Sequence, residues 1–458
     1  MMLGLLTVVL GSCSLGVPQA DSCADSGECR RAFGAGTYCA ADTGRCESVI
    51  NDLCPEIFPA DVGDSPNGIL LGSILNRDSE NQVAREQAIQ LAVQGIDERN
   101  GIDGRLVGVL HCNASQVSEA AAYLVDEVGV QVILGPSSSQ DVEAVFTSHR
   151  EDGVLVMTPS ATAQQLEALD RPASGPGRLW RTAPPDTLQV PVILDELGED
   201  VRASIIARQN DTYAQGLSII VQEAAMTTTL EVVETPQFSD AEQIATAAAN
   251  ALGSGDAPDV VLFLSSEVAD AARFLEAAAE NPAYDSVQLF FSDAAANDEL
   301  LTLTGDGPGA ARYGNVRATR PSSPDTIITN EFVGAYQAVN GSDPLEFSFT
   351  AHAYDAAALV ILGAGYATRD GGEVTGLRVA EGIRQLTTGP SRQLLSANFG
   401  SIISDIRAGT TVDLVGASGE LDYDGTTEEL STASYDVLNI QGAGAGATFQ
   451  VTRTVASP

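Results

Sequence analysis

An α/β fold of two doubly wound parallel-sheet lobes joined by a multi-strand hinge is what this sequence predicts, and three observations carry the prediction. Short apolar runs alternate with amphipathic helices from about residue 65 onward; the alternation stops at a proline-stiffened stretch and then begins again; and 458 residues exceed what one core ordinarily organises.

Residues 68–74 (GILLGSI) predict the first strand, and 84–100 a helix whose Ala88, Ile89, Ala92 and Ile96 recur at helical spacing. Strand 106–110, helix 118–128, strand 130–134 (VQVIL), helix 140–150, strand 154–157 and a helix starting near Thr162 follow. Such alternation implies a parallel sheet covered on both faces. Arg181-Thr182-Ala183-Pro184-Pro185-Asp186 then marks an interlobe crossing stiffened by its prolines. The second unit reads as strand 203–207, helix 213–225, strand 230–234, helix 240–252, strand 260–264 (VVLFL), helix 268–280, strand 287–291 (VQLFF) and another helix. A second crossing is expected near 317–324, after which long helices return, notably 349–366, and a last strand 435–440 rejoins the second lobe. The first lobe is thus expected from 66–184 with 321–432, and the second from 185–320 with 433–458. The GAGAG run at 442–446 has no helix after it and reads as a turn, not as a nucleotide fingerprint.

Composition narrows the function. The chain carries 62 acidic against 23 basic residues, a net charge of -39, and every basic residue is Arg. Such a field repels phosphate backbones and anionic lipid, so nucleic acid is excluded as an expected partner. The acidity itself reads as a solvated surface.

The N-terminus reads as an export signal. Residues 1–10 (MMLGLLTVVL) are too short to span a bilayer but suit the apolar region of a signal peptide, although no Lys or Arg precedes them. Gly11-Ser12-Cys13 after them resembles the lipobox of bacterial lipoproteins, which implies a signal peptide over 1–12 and lipidation of Cys13. Export to the periplasmic side of a bacterial envelope follows, with membrane attachment through the lipid alone. Residues 13–65 then form a Cys-rich segment with almost no hydrophobic periodicity, which needs staples to hold a shape. The six remaining cysteines suit disulfides better than zinc, because no CxxC pair occurs. Cys23, Cys29, Cys39 and Cys46 are expected to pair locally, and Cys54 to bridge to Cys112, each lying near a strand of the first lobe.

Two successive strand-to-helix junctions are rich in hydroxyls: Gly135-Pro136-Ser137-Ser138-Ser139 and Thr158-Pro159-Ser160-Ala161-Thr162. In an open parallel sheet such junctions lie side by side at the carboxyl edge, and each is expected to offer free backbone N–H groups at a helix N-terminus. Together they predict a small-anion site suited to a carboxylate, with Ser138/Asp141 and Thr162/Gln165 also reading as capping boxes. No G-x-S-x-G elbow or P-loop occurs. His149 and His352 fall in predicted helices and His111 adjoins Cys112, so no enzyme, cofactor or metal centre is expected.

The strings ILGPSSS, VMTPSAT and WRTAPPDTLQ resemble the type I periplasmic binding proteins, above all the Leu/Ile/Val-binding family that serves ABC transporters. NGIDGR at 100–105, NDTYAQG at 210–216, AYDAA at 353–357 and GELDYD at 419–424 continue the likeness in family order. The resemblance implies that Ser139 and Thr162 hold the carboxylate of an amino acid, that the Ser160 carbonyl receives its ammonium, and that Tyr213 and Asp293 complete the site from the other lobe. The chain departs from the family at 76–81 (NRDSEN), at Ala214 where Gly is usual, and at 265–268, where the family's aromatic is missing. It further implies a monomer that captures a small polar ligand by hinge closure and serves an ABC permease. Alternative roles are a ligand sensor for a receptor and a binding module that has lost its ligand.

Overall fold

The computed structural model describes residues 22–170, 172 and 174–457. The expected signal peptide and Cys13 lie outside those residues. The Cys-rich segment folds into α1 (Ser26–Phe33) and a hairpin of β1 (Thr37–Ala40) with β2 (Arg45–Ser48). Asp25 caps α1, and disulfides Cys23–Cys39 and Cys29–Cys46 tie helix to hairpin, so covalent bonds replace the core that this segment lacks. Cys54 is joined to Cys112.

The first sheet follows the chain through β3 (Glu56–Phe58), β4 (Ile69–Leu75), helix α2 (Glu80–Asp97), β5 (Val107–Asn113), α3 (Val117–Ala122), β6 (Val132–Leu134), α4 (Ser139–Ser148), β7 (Leu155–Thr158) and β8 (Leu179–Arg181). Its order is β3-β5-β4-β6-β7-β8, parallel except for the edge strand β3. The turn from α3 continues into a π-helix over Tyr123–Val128, where one continuous α-helix was expected. The expected helix near Thr162 does not form either. Arg181 Nη1 donates to Ala161 O at 3.2 Å and Ala163 O at 2.9 Å, taking carbonyls that a first helical turn would need, and only a 3-10 turn appears at Gln164–Ala168.

The second sheet begins after α5 (Asp186–Leu197) and contains β9 (Arg202–Arg208), α6 (Thr212–Ala225), β10 (Glu231–Glu234), β11 (Gln237–Phe238), α7 (Ile244–Ala251), β12 (Val260–Leu264), α8 (Val268–Glu280), β13 (Gln288–Phe291), α9 (Asp298–Thr304) and β14 (Val316–Pro321). The stretch expected as the second crossing is largely this β14; Pro321 closes it, as a residue without an N–H can at a strand's end, and the crossing begins at Ser322. Helices α10 (Ile327–Asn340), α11 (Thr350–Ala367) and α12 (Gly376–Ile383), the short pair β15 (Ser391–Gln393) and β16 (Asp413–Val415), and α13 (Phe399–Arg407) between them return to the first lobe. The chain then re-enters the second sheet through antiparallel β17 (Ser434–Gln441) and β18 (Thr448–Ala456), the latter an edge strand that the sequence reading missed.

In both sheets the parallel strands follow one order: the second strand of the unit, then the first, third, fourth and fifth. Each sheet has a separate apolar core on either face, which is why its central strands read as unbroken apolar runs. The first lobe packs α2, α11 and α12 around Leu71, Val109 and Leu359, and the second stacks Phe263 on Phe274.

Candidate functional site

A sheet of this strand order has its topological switch between the first and third strands, and ligands bind outside the carboxyl ends there. The two switches here face a common cleft of about 340 Å³. Its wall is drawn from the loops and helix starts that follow β4, β6, β7, β9, β12 and β13, among them Arg85, Ser139, Ser160, Tyr213, Glu267 and Asp293.

The first-lobe wall is held by short-range hydrogen bonds. Gly135 has φ +93°, and a Cβ there would meet Ile74 O at 2.6 Å, so only glycine lets β6 turn toward the cleft beside β4. Ser138 caps α4, its Oγ accepting from Asp141 N at 3.1 Å and standing 2.7 Å from Asp141 Oδ2, so the expected N-cap forms while the Asp141 carboxylate meets the capping hydroxyl in place of the Ser138 N–H that a full capping box uses. Ser160 Oγ donates to Ser137 O at 2.9 Å and Ser139 Oγ accepts from Ala163 N at 3.2 Å, locking the two hydroxyl-rich loops together. Ser137 Oγ is buried without a partner.

Ser139, Ser160, Tyr213 and Asp293 all line the cleft. Thr162 does not: it is 2% exposed, its carbonyl accepts from Asp186 N at 2.9 Å behind the wall, and its side chain acts on the Asp186 carboxyl there, lowering a pKa that burial raises. With no α-helix after Thr162, its expected capping box is not made, and the site has one helix N-terminus from these junctions instead of two.

On the second lobe, Asp211 caps α6 and brings up Tyr213, whose hydroxyl sits 2.6 Å from Asp293 Oδ1 and 2.5 Å from Ser292 Oγ. Burial raises the Asp293 pKa, and the Tyr213 hydrogen bond opposes that rise. Burial and the neighbouring Asp293 hold the Tyr213 phenol well above its ordinary pKa, so it stays a donor.

Arg85 and Phe349 were not anticipated. Arg85, on α2, is 5% exposed; its Nε donates to Ser348 O and its Nη1 to Ser160 Oγ, both at 3.1 Å. The Phe349 ring lies 5.3 Å from its guanidinium carbon, on a backbone with φ +64° that a bulky side chain adopts only when its surroundings enforce it. Burial lowers the Arg85 pKa to about 10, which leaves it charged at neutral pH, and no carboxylate among the described residues pairs with it within 4.0 Å. On a single sequence it was indistinguishable from a solvated helix residue. The lobes also touch at the cleft's rim: Glu299 accepts from Ser79 Oγ at 2.8 Å, and Thr212 Oγ1 donates to Glu143 at 2.9 Å.

None of the three histidines lines the cleft. His111 and His352 are buried, and burial pushes both pKa values down to about 3.

The model of the receptor family ligand-binding region matches residues 84–443, from α2 through β17. The chain belongs to that family. In this ligand-binding family the fold is that of the type I periplasmic binding proteins. Solved structures similar to this chain include the branched-chain amino acid transporter substrate-binding protein LivJ from Streptococcus pneumoniae in complex with isoleucine, at 18% identity and TM-score 0.64 over 85% of this chain and 99% of that one. The leucine-binding protein LivK from Thermotoga maritima is 18% identical with TM-score 0.62, over 84% and 98%. Among relatives by sequence, the chemotactic signal transduction system substrate-binding protein BasB of Halobacterium salinarum is 26% identical over 377 residues, 78% of this chain and 82% of the relative. The leucine-, isoleucine-, valine-, threonine- and alanine-binding protein of Pseudomonas aeruginosa is 27% identical over 139 residues, 29% of this chain and 36% of the relative. The family and fold are those of binding proteins. Among the described residues no helix is long and apolar enough to cross a membrane.

Proposed function

We propose that the chain is an exported solute-binding protein that captures an amino acid between its lobes and catalyses no reaction. The observation that carries this reading is charge geometry: a buried, unpaired cation, Arg85, and a buried acid, Asp293, line one cleft from different lobes. Each acts electrostatically on the other, yet no ion pair joins them. A zwitterion fills such a gap, with its carboxylate toward Arg85, Ser139 and the orphaned Ser137 hydroxyl, and its ammonium toward the Ser160 carbonyl and the Tyr213–Asp293 pair. Leaving either charge buried and alone costs several kcal/mol, so the ligand and the closed arrangement stabilise each other.

Export with a lipid on Cys13, action as a monomer and delivery to an ABC permease belong to the same proposal. Calorimetric titration with the twenty amino acids tests it: saturable one-to-one binding of at least one is expected, and no heat from any member would refute it. The likeness to BasB favours a second reading, in which the loaded form signals to a receptor instead of feeding a permease. Permease and ATPase genes beside this one would support uptake, and a receptor gene would support signalling.

A further inference from the structure

The charges that line the cleft do not balance. Five carboxylates, those of Asp78, Asp141, Glu267, Asp293 and Glu299, stand against the single guanidinium of Arg85. An amino-acid zwitterion answers Arg85 and Asp293 and leaves the other four. Asp141 is met by the Ser138 hydroxyl, and Glu299 accepts from Ser79 Oγ and, at 3.3 Å, from Asn81 N. Asp78 and Glu267 have nothing comparable: among the described residues no hydrogen bond or ion pair within 4.0 Å reaches either carboxylate. Arg208 acts on Glu267 from a distance and is itself paired with Asp270.

An uncharged acceptor asks for the same partner. Asn81, the second residue of α2, lines the cleft at 4% exposure, and its Oδ1 is buried without a hydrogen-bond partner. A buried acceptor left unmet is costly, so the ligand is called on to supply a donor. These groups stand where the chain departs from its family, Asp78 and Asn81 within 76–81 and Glu267 within 265–268. Asp78 and Asn81 belong to the first lobe, Glu267 and Glu299 to the second, so closing the lobes brings like charges toward each other. An apolar side chain between them leaves both the repulsion and the Asn81 acceptor uncompensated, whereas a cationic one offsets both.

We infer that this part of the cleft is a subsite for a cationic side chain, with Asp78, Asn81 and Glu267 as its specificity-determining residues, and that the amino acids captured are basic ones. This deepens the amino-acid reading above and rests on it. It also separates the chain from LivJ of Streptococcus pneumoniae, whose complex holds isoleucine, a side chain with no donor to offer.

Calorimetry comparing two pairs of near-isosteres, lysine with norleucine and arginine with citrulline, varies the charge at the far end and keeps the α-groups the same. Leucine, isoleucine and valine are titrated alongside. At least one basic member is expected to bind at least about tenfold more tightly than its neutral partner and than any branched-chain amino acid. Asp78→Asn combined with Glu267→Gln replaces two exposed carboxylates by neutral isosteres, so the variant is expected to fold. It should shrink that preference by at least about threefold. A branched-chain amino acid binding tightest, equal affinity within both pairs, or a preference that the double variant leaves intact overturns the inference while the proposed function stands. Failure of every amino acid to bind overturns both.

Discussion

Arg85 Nη1 and Ser160 Oγ are 3.1 Å apart, and Ser160 passes the contact on to Ser137 O. The guanidinium is thereby tied to the hydroxyl-rich loops after β6 and β7, so one cation and two sets of neutral donors share one wall of the cleft, the surface proposed above to take the ligand carboxylate. The two hydroxyl-rich junctions had already marked the neutral donors in the sequence; the charge comes from a helix that the sequence reading treated as packing.

Replacing Arg85 by Met is predicted to weaken amino-acid binding at least tenfold, about 1.4 kcal/mol or more. The fold should survive, because removing a buried cation also removes its desolvation cost. Calorimetry read beside circular dichroism checks both halves, and unchanged affinity in a folded variant would take Arg85 out of the site.

Ser139→Ala combined with Thr162→Ala is likewise predicted to weaken binding at least tenfold. The two single variants should differ. Ser139 lines the cleft whereas Thr162 lies behind it, so titration of each should give the larger loss for Ser139.

Stability is predicted to fall as pH rises from about 6.5 to 8, above the range in which the buried, neutral His111 and His352 act in the opposite sense. The folded-state pKa of Asp186 is raised to about 8, and those of Asp97 and Asp355 to about 6, in each case with burial as the largest cause. A raised acid holds its proton in the folded state after the unfolded chain has lost it. Its stabilising contribution is thus complete below about pH 4 and drains away as pH approaches the folded pKa, at up to about 1.4 kcal/mol per pH unit per group. Urea melts across this range should show the decline, and Asp186→Asn should flatten it.

Removing the Cys54–Cys112 disulfide by a double Ala substitution is predicted to cost about 2–5 kcal/mol, because it frees a loop with a sequence separation of 58. Both residues lie in the core on the α3–α4 face of the first sheet, outside the cleft lining. Denaturant titration should show the loss while ligand affinity stays the same.

Much of this arrangement was legible because it depends on local signals. Central strands such as VVLFL are buried on both faces and announce themselves as apolar runs, and the Gly-Pro-Ser-Ser-Ser junction declares a strand end turning into a helix. What stayed hidden depends on tertiary contacts. The failure of a helix to start at Thr162 is decided by Arg181, which is distant in sequence and competes for the carbonyls. The edge strands β3 and β18 lack the apolar signature of central strands; β18 is mostly exposed and rests on pairing with β17. Arg85 and Phe349 reach the cleft only through the packing of α2 against α11 and its preceding loop, which no period along the chain reveals.

The central claim is that the cleft recognises both charges of an amino acid at once. The most direct measurement compares, by calorimetry, the tightest-binding amino acid with its deaminated acid and its decarboxylated amine, which keep the side chain and lose one charge each. Both analogues are predicted to bind at least a hundredfold more weakly, about 2.7 kcal/mol. Retention of full affinity by either analogue would contradict the account.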